Sequence, residues 1–402
     1  MAACRDGVVL DGAEVMDKED IQSARVLFSC SGIGIFNRGI ETFFREAFDG
    51  VLGIPGWEIR LLKGAGPESI GEKKLRCLPR TGALAPPIGR ITGRSAYAVE
   101  QWSSFFSVAR EIRRFRPHVV FTSEANMMFL LRRFRMRIGV PFRVLYSNGG
   151  PCHPPFTRHD FVHQVAPFYR DEAIAFGEPE GKHLLVPYGI HVPSQPFPAA
   201  EERKSLRVRL GLPRDRPVIL SVGWIARQHK RMDYVIREVA ALPGPRPFLQ
   251  LLGAMDEGSG ELVTLGRDLL GPANFAAASV APEAVADYYR AADVFVLGSL
   301  AEGFGRVYLE ALAHGLPTIG HRHPVIEYVL GEAGIIGDLS KTSGLSSVLV
   351  VELAKLRTTT PEEMKWRRES VRSRFGWDLL RPAYADMFRT AANAPMPWVT
   401  AP

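Results

Sequence analysis

Short apolar runs alternate with amphipathic stretches along most of this chain. Residues 25–30, RVLFSC, form a continuous apolar run that ends in small residues, the pattern of a buried strand. A glycine-rich turn follows, Gly32-Ile33-Gly34-Ile35-Phe36-Asn37-Arg38-Gly39, and leads into an amphipathic stretch at 40–48. Further patterns predict strands over 57–62, 118–122 and 142–147, with a helix over 98–115. Strand, turn and helix in this order predict an open, mostly parallel sheet flanked by helices. The pattern changes at 184–189, and a proline-rich connector, HVPSQPFP, occupies 191–198. A second alternation then begins, with strands predicted over 217–222, 248–252, 294–297 and 317–319. Helices are predicted over 232–241, 282–291 and 306–314, and helical segments close the chain. The expected fold class is α/β, with two doubly wound domains in tandem and no repeat of 20–50 residues.

Length and composition agree with that division. The chain has 402 residues, enough for two or three domains of roughly 100–200 residues. Its 46% hydrophobic and 23% charged residues exclude a disordered, collagen-like or coiled-coil chain. No run approaches the ~18–20 apolar residues of a membrane span. Residues 1–24 read as a polar arm without a secretory leader. Cys4, Cys30, Cys77 and Cys152 lie far apart with no CxxC, which fits a reduced, cytoplasmic setting and no zinc site.

The net charge of +7 is concentrated. Nine arginines and two glutamates lie between Arg110 and Arg143, interleaved with Phe115, Met127, Met128, Phe129, Leu130, Leu131 and Phe134. Such a segment suits either solvated helix faces or contact with an anionic membrane or acceptor. No helix-turn-helix, zinc or RNA-binding signature accompanies it, which disfavours nucleic acid.

The candidate chemistry sits mostly in the second half. After the strand ending at Gly223, a loop carries Arg227, Lys230 and Arg231 ahead of a helix. A guanidinium fork and an ammonium point charge are what a diphosphate needs. The strand at 248–252 ends in Gly253, where a flat group could pack close. Asp293 reads as a cap or turn residue. In Glu302-Gly303-Phe304-Gly305-Arg306-Val307 the glycines bare backbone N–H groups at a helix start, a site for phosphate. Glu310, eight positions after Glu302, can accept from both hydroxyls of a ribose. Gly32 and Gly34 allow two readings, a tight turn or a close approach to phosphate. The full GxGxxG fingerprint is missing, which disfavours a nicotinamide site.

These motifs resemble those of glycosyltransferase family 4, enzymes of the GT-B architecture. The matching pieces are the Lys230 loop and Glu302-x7-Glu310 with its Gly-Phe-Gly. Others are LLVPYGIH at 184–191, YYRAADVFVLGSLAEGFG at 288–305, LEALAHGLPTI at 309–319 and RFGWDLLRPAYADMF at 374–388. The resemblance covers nearly all of 25–390 and is most specific over 218–330. It implies two Rossmann-like domains facing across a cleft. The expected divisions are an acceptor-side domain at 25–195, a donor-binding domain at 196–375, and a segment at 376–402 whose helix crosses back. It further implies that Lys230 contacts the donor diphosphate and Glu302 lies against the donor sugar. Gly303 to Val307 donate from the backbone, Glu310 binds the ribose, and Gly32 and Gly34 close on the diphosphate. Two positions depart from the family. Trp224 stands where an arginine is usual, leaving Arg227, with Arg231 behind it, as the substitute. The usual N-domain histidine has His153 as its displaced equivalent or Asn148 as a stand-in, with His159 and His163 nearby.

The implied reaction is retaining transfer of a sugar from a nucleoside-diphosphate sugar to a hydroxyl acceptor, a saccharide, glycolipid or small molecule. UDP is expected ahead of GDP because it is commoner. No Asp-x-Asp motif appears, so no obligatory metal is expected. The expected setting is polysaccharide or glycoconjugate assembly in the cytoplasm or on the inner face of the membrane. The alternatives are a GT-B nucleotide-sugar epimerase or phosphorylase-like enzyme, and an inactive nucleotide-sugar binder.

Overall fold

The computed structural model describes residues 24–36, 38–150, 152–356 and 358–394. The expected N-terminal arm lies outside the described residues, apart from Ala24, as do Cys4 and Asn37. The first sheet has seven parallel strands. These are β1 (Arg25–Cys30), β2 (Glu58–Lys63), β3 (Glu72–Lys74), β4 (Val119–Thr122), β5 (Arg143–Asn148), β6 (Phe161–Gln164) and β7 (His183–Leu185), in the order β3-β2-β1-β4-β5-β6-β7. The second has β8 (Val218–Val222), β9 (Phe248–Leu252), β10 (Phe275–Ala278), β11 (Val294–Val296), β12 (Thr318–His321) and β13 (Ile335–Gly337), in the order β10-β9-β8-β11-β12-β13. Hydrophobic periodicity did not reveal the short strands β3, β6, β7, β10 and β13.

Each sheet winds outwards in both directions from an adjacent central pair. In the first, successive strands leave β1 through β2 on one side and resume at β4 on the other. In the second, the corresponding pair is β8 and β11. Beyond the carboxyl ends of such a pair the connecting loops diverge and open a crevice, the usual ligand position in a parallel sheet. Both crevices carry the residues discussed below.

Strand alternation places Val26 and Phe28 on one face of the first sheet and Leu27 on the other. Phe28, Phe43, Phe44, Phe48 and Phe121 build the first face, and Phe388 inserts among them, 5.6 Å from Phe28 and 5.3 Å from Phe121 between ring centroids. Phe388 belongs to the last helix, Trp377–Asn393, which therefore packs on the first domain although it follows the second. The Trp377 ring fills the space beside Gly50 and Gly189, where a Cβ would approach it to 2.6 Å. Its indole N–H donates to Glu46 at 3.3 Å, and the Tyr384 hydroxyl donates to the Pro187 carbonyl at 3.0 Å.

Candidate active site between the two sheets

β8 ends at Val222, and the chain turns through Gly223 into the cation loop. That loop folds back on itself through left-handed residues, His229 at φ 60° and Arg231 at φ 47°. Side-chain-bearing residues rarely adopt this conformation. The turn brings Lys230 to Glu302, which follows β11, and its ammonium donates to Oε1 at 2.6 Å. The side chains are 17% and 7% exposed, so the pair is largely removed from water. The Tyr169 hydroxyl, from helix Pro167–Ala175 of the first domain, donates to the Glu302 carbonyl at 2.9 Å. Both domains thus meet at Glu302.

Helix Arg306–Ala313 begins at Gly305, whose φ of 83° and close approach to the Tyr308 ring, 2.7 Å from an added Cβ, both require glycine. No side chain caps this helix. Its first N–H groups and dipole are available to an anion. The Ser299 and Tyr308 hydroxyls are buried and, among the described residues, have no hydrogen-bond partner. Along the helix, Glu310 accepts from the Tyr289 hydroxyl at 3.0 Å. Burial pushes its carboxyl above the ordinary value, opposed by the Arg306 charge and the tyrosine bond.

The other expected site residues are distributed more widely. Gly223 faces the Lys230 side chain, 3.3 Å from an added Cβ. At Gly253 an added Cβ would lie 1.7 Å from the Gly223 carbonyl oxygen, so the close neighbour is the end of β8 and not open space for a flat ligand. Phe304 is buried between Tyr188 and Phe375. Val307 is half-buried on the same helix. The Arg306 side chain turns away from the helix start, donating to the Gly189 carbonyl at 2.7 Å and to Glu46 at 2.6 Å. Arg227 is exposed and, among the described residues, pairs with exposed Glu261 at 3.2 Å. Arg231 donates to the carbonyls of Gly298 at 3.1 Å and Leu339 at 2.7 Å. It therefore braces the loop, leaving Arg227 as the movable cation.

In the first domain, Gly32 and Gly34 are packed tightly. An added Cβ would lie 2.2 Å from the Glu41 carboxylate and 2.3 Å from the Ala65 carbonyl. His153 is exposed, its Nδ1 2.9 Å from the Glu172 carboxylate. Glu172 lies on the helix that carries Tyr169. His163 is wholly buried, with Nε2 2.7 Å from the Val186 carbonyl and Nδ1 3.0 Å from Ser147 Oγ. A carbonyl only accepts, so the proton sits on Nε2. Burial lowers its pKa to about 4. His159 is likewise lowered to about 4 by burial. Asn148 bonds Cys152 and Gln164. Tyr169 and Glu46 were not singled out in the sequence, and Tyr289 and Trp377 lay inside matching segments without a role, because each acts through a partner more than 20 positions away.

Two parallel-sheet Rossmann-like domains joined by a returning C-terminal helix form the GT-B fold, and solved structures of that class share it. Sucrose-phosphate synthase from Thermosynechococcus elongatus superposes with a TM-score of 0.72 at 18% identity, over 91% of this chain and 98% of its own. HepE from Anabaena, solved with UDP and glucose, gives 0.70 at 14% identity over 90% and 99%. Likeness at such identities concerns the fold alone. Residues 216–348 match the family model for glycosyl transferases group 1. The D-inositol 3-phosphate glycosyltransferase of Kineococcus radiotolerans is 30% identical over 241 residues, 54% of each chain. The lipopolysaccharide core biosynthesis glycosyltransferase LpsE of Rhizobium meliloti is 30% identical over 187 residues, 45% of this chain and 52% of its own. The chain spans about half the length of these curated relatives.

Proposed function

We propose that this chain is a glycosyltransferase that moves a sugar from a nucleoside-diphosphate sugar, UDP-linked ahead of GDP-linked, to a hydroxyl acceptor with retention of configuration. The observation that carries the reading is the Lys230–Glu302 pair beside the uncapped start of helix Arg306–Ala313, at the crevice between β8 and β11. An ammonium has three donors, so Lys230 holds Glu302 and still serves a phosphate oxygen. Charge on the departing diphosphate is met by Lys230, by Arg227 and by the helix N–H groups. Glu302, fixed by Lys230 and through its carbonyl by Tyr169, presents a carboxylate to sugar hydroxyls. Glu310 uses one oxygen on Tyr289 and offers the other to a ribose. Leaving-group stabilisation by these groups requires no metal, and turnover should persist in EDTA.

The test is a thermal-shift panel of UDP, GDP, ADP and TDP in EDTA, followed by product analysis with the matching sugar donor. Selective stabilisation by one diphosphate and an acceptor-dependent glycoside support the reading. Donor turnover into an isomerised sugar would favour the epimerase alternative, and binding without product the inactive binder.

Peripheral contact with an anionic membrane is the second part of the proposal. No described helix is long and apolar enough to cross a membrane. The first domain nevertheless exposes Ile91 (86%), Phe106 (76%) and Met136 (73%), with Leu84 and Trp102, and it also exposes Arg110, Arg113, Arg114, Arg133 and Arg137. The basic segment is weaker than its sequence suggests. Arg135 and Arg143 are buried, Arg135 against Asp160, while Arg132 is only partly exposed. Large apolar side chains among arginines are the composition of a surface that beds into lipid headgroups.

A further inference from the structure

The crevice of the first domain, between the carboxyl ends of β1 and β4, contains polar groups that the donor reading does not use. Ser31 follows β1 and Glu124 follows β4. Helix Ala96–Phe115 adds Tyr97, Glu100 and Gln101, and Arg80 arrives from the loop between β3 and helix Ala85–Thr92. Ser31, Glu100, Gln101 and Glu124 are all buried. The Ser31 amide donates to Glu124 Oε1 at 2.9 Å, and the Ser31 hydroxyl reaches both that oxygen and Glu100, the latter at 2.6 Å. One hydroxyl has one proton, so it satisfies one carboxylate at a time. Among the described residues, Glu124 Oε2 has no hydrogen-bond partner, and neither do the amide nitrogen and oxygen of Gln101. Buried polar atoms are rarely left so, because each lost bond carries a desolvation cost. Three such atoms on two side chains beside one crevice mark a place for a ligand with its own donors and acceptors.

Charge narrows the ligand. The Arg80 guanidinium is held by Glu100, with Nε 3.0 Å from Oε1, and Arg38 is paired with Glu41. Both cations are matched, and Glu124 remains as an unmatched carboxyl. A phosphate placed here would find both of these guanidiniums already committed to carboxylates. At the mouth, Arg80 lies 3.9 Å from the Tyr97 ring centroid and 4.8 Å from that of Phe36. The Tyr97 residue is 37% exposed. An aromatic face beside unpaired polar atoms suits a ring with an apolar C–H face and hydroxyl edges.

We propose that this crevice recognises the acceptor, that the acceptor end bound here is a neutral sugar or polyol and not a phosphate ester, and that Tyr97, Gln101 and Glu124 select it. Tyr97 packs against the ring, Glu124 Oε2 accepts from one hydroxyl, and the Gln101 amide pairs with a second. The assignment rests on the glycosyl-transfer reading and adds the acceptor class to it.

The test uses the full chain saturated with UDP or GDP, whichever stabilises it. Saturation-transfer NMR titrations would use methyl α-glucoside, methyl α-galactoside, methyl α-mannoside and glucose 6-phosphate. The expected result is contact with at least one neutral hexoside, and binding of glucose 6-phosphate no tighter than that of the neutral sugars. Tyr97→Ala and Gln101→Leu should each weaken the hexoside at least tenfold while nucleotide affinity stays within twofold. Tyr97→Ala removes a partly exposed ring and Gln101→Leu replaces an unbonded amide, so two separate changes report even if one variant folds poorly. Absence of hexoside contact, tighter binding of the phosphate ester, or unchanged affinity in both variants overturns the proposal. Nucleotide binding without hexoside contact removes this assignment and leaves the donor reading. Hexoside contact sensitive to both variants, without nucleotide binding, upholds the site and removes the donor reading.

Discussion

Lys230 and Glu302 hold each other at 2.6 Å in a largely buried setting, so removing either leaves the other charge uncompensated. Lys230→Ala should lower kcat about 100-fold or more and change KM less, because leaving-group charge peaks in the transition state. Steady-state kinetics with the donor identified by thermal shift decide this, and a near-parental kcat would move the role to Arg227. Glu124 supports a pH prediction. Burial raises its pKa from 4.5 to about 7, against the Ser31 bonds and the Arg80 charge. Between those values the folded chain keeps a proton that the unfolded chain has released. Its stabilising contribution is therefore full below pH 4.5 and lost as pH rises through 7, a loss of about 3 kcal/mol by pH 8. Glu124→Gln does not ionise, so its stability relative to the parent should rise by about that amount between pH 4.5 and pH 8 in urea titrations. A difference independent of pH would show that Glu124 titrates normally. His163 works in the opposite sense. Its pKa of about 4 means that stability is lost as pH falls from 6.5 towards 4.

Among elements, helix Arg306–Ala313 depends most on one backbone angle. Gly305→Ala places a methyl group against Tyr308 at a φ of 83°. This should cost about 1–2 kcal/mol or more of stability and weaken the nucleoside diphosphate, since the N–H groups lose their aim. Calorimetric titration with that nucleotide measures the second effect, and unchanged affinity would take the helix start out of the donor site. The helices of the first domain that expose Ile91 and Phe106 make a separate prediction. The parent should sediment with vesicles containing anionic lipid, less so at high salt. Ile91→Ser with Phe106→Ser should reduce binding about tenfold or more, through apolar area withdrawn from the interface. Failure of the parent to sediment would end the membrane reading. A glycine loop and an amphipathic helix were both visible in the sequence. What Gly32 and Gly34 approach was not, because Glu41 and Ala65 come close only once the loop is folded.

For the whole molecule, the returning helix packs on the first domain and takes part in a core shared with the second. Apolar residues of both domains belong to one continuous core, in which Trp377, Tyr384 and Phe388 take part. Arg306 of the second domain reaches Glu46 of the first, and Trp377 bonds the same carboxylate. Trp377→Ala should therefore cost about 3–5 kcal/mol. It should also split one calorimetric unfolding transition into two, as the domains lose their common packing. A single transition at a lowered temperature would show that the remaining contacts suffice for cooperativity.

The sequence by itself determined the two successive α/β domains and the local signals of the crevice proposed for the donor, namely the cation loop, Gly303, Gly305, Glu302 and Glu310. These are legible because strand period, glycine at a helix start and charge along a loop are short-range properties. Tertiary structure alone decided which cations are committed and which are movable. Arg231 is held by backbone carbonyls over 60 positions away, whereas Arg227 faces solvent. It also decided that His163 is a buried neutral histidine, that Arg306 joins the domains, and that Glu124 meets Ser31 across 93 positions. Such pairings follow from strand order and helix return, and neither leaves a periodic mark on the chain. The crevice proposed for the acceptor was therefore hidden in the sequence, although every residue that builds it was in plain view.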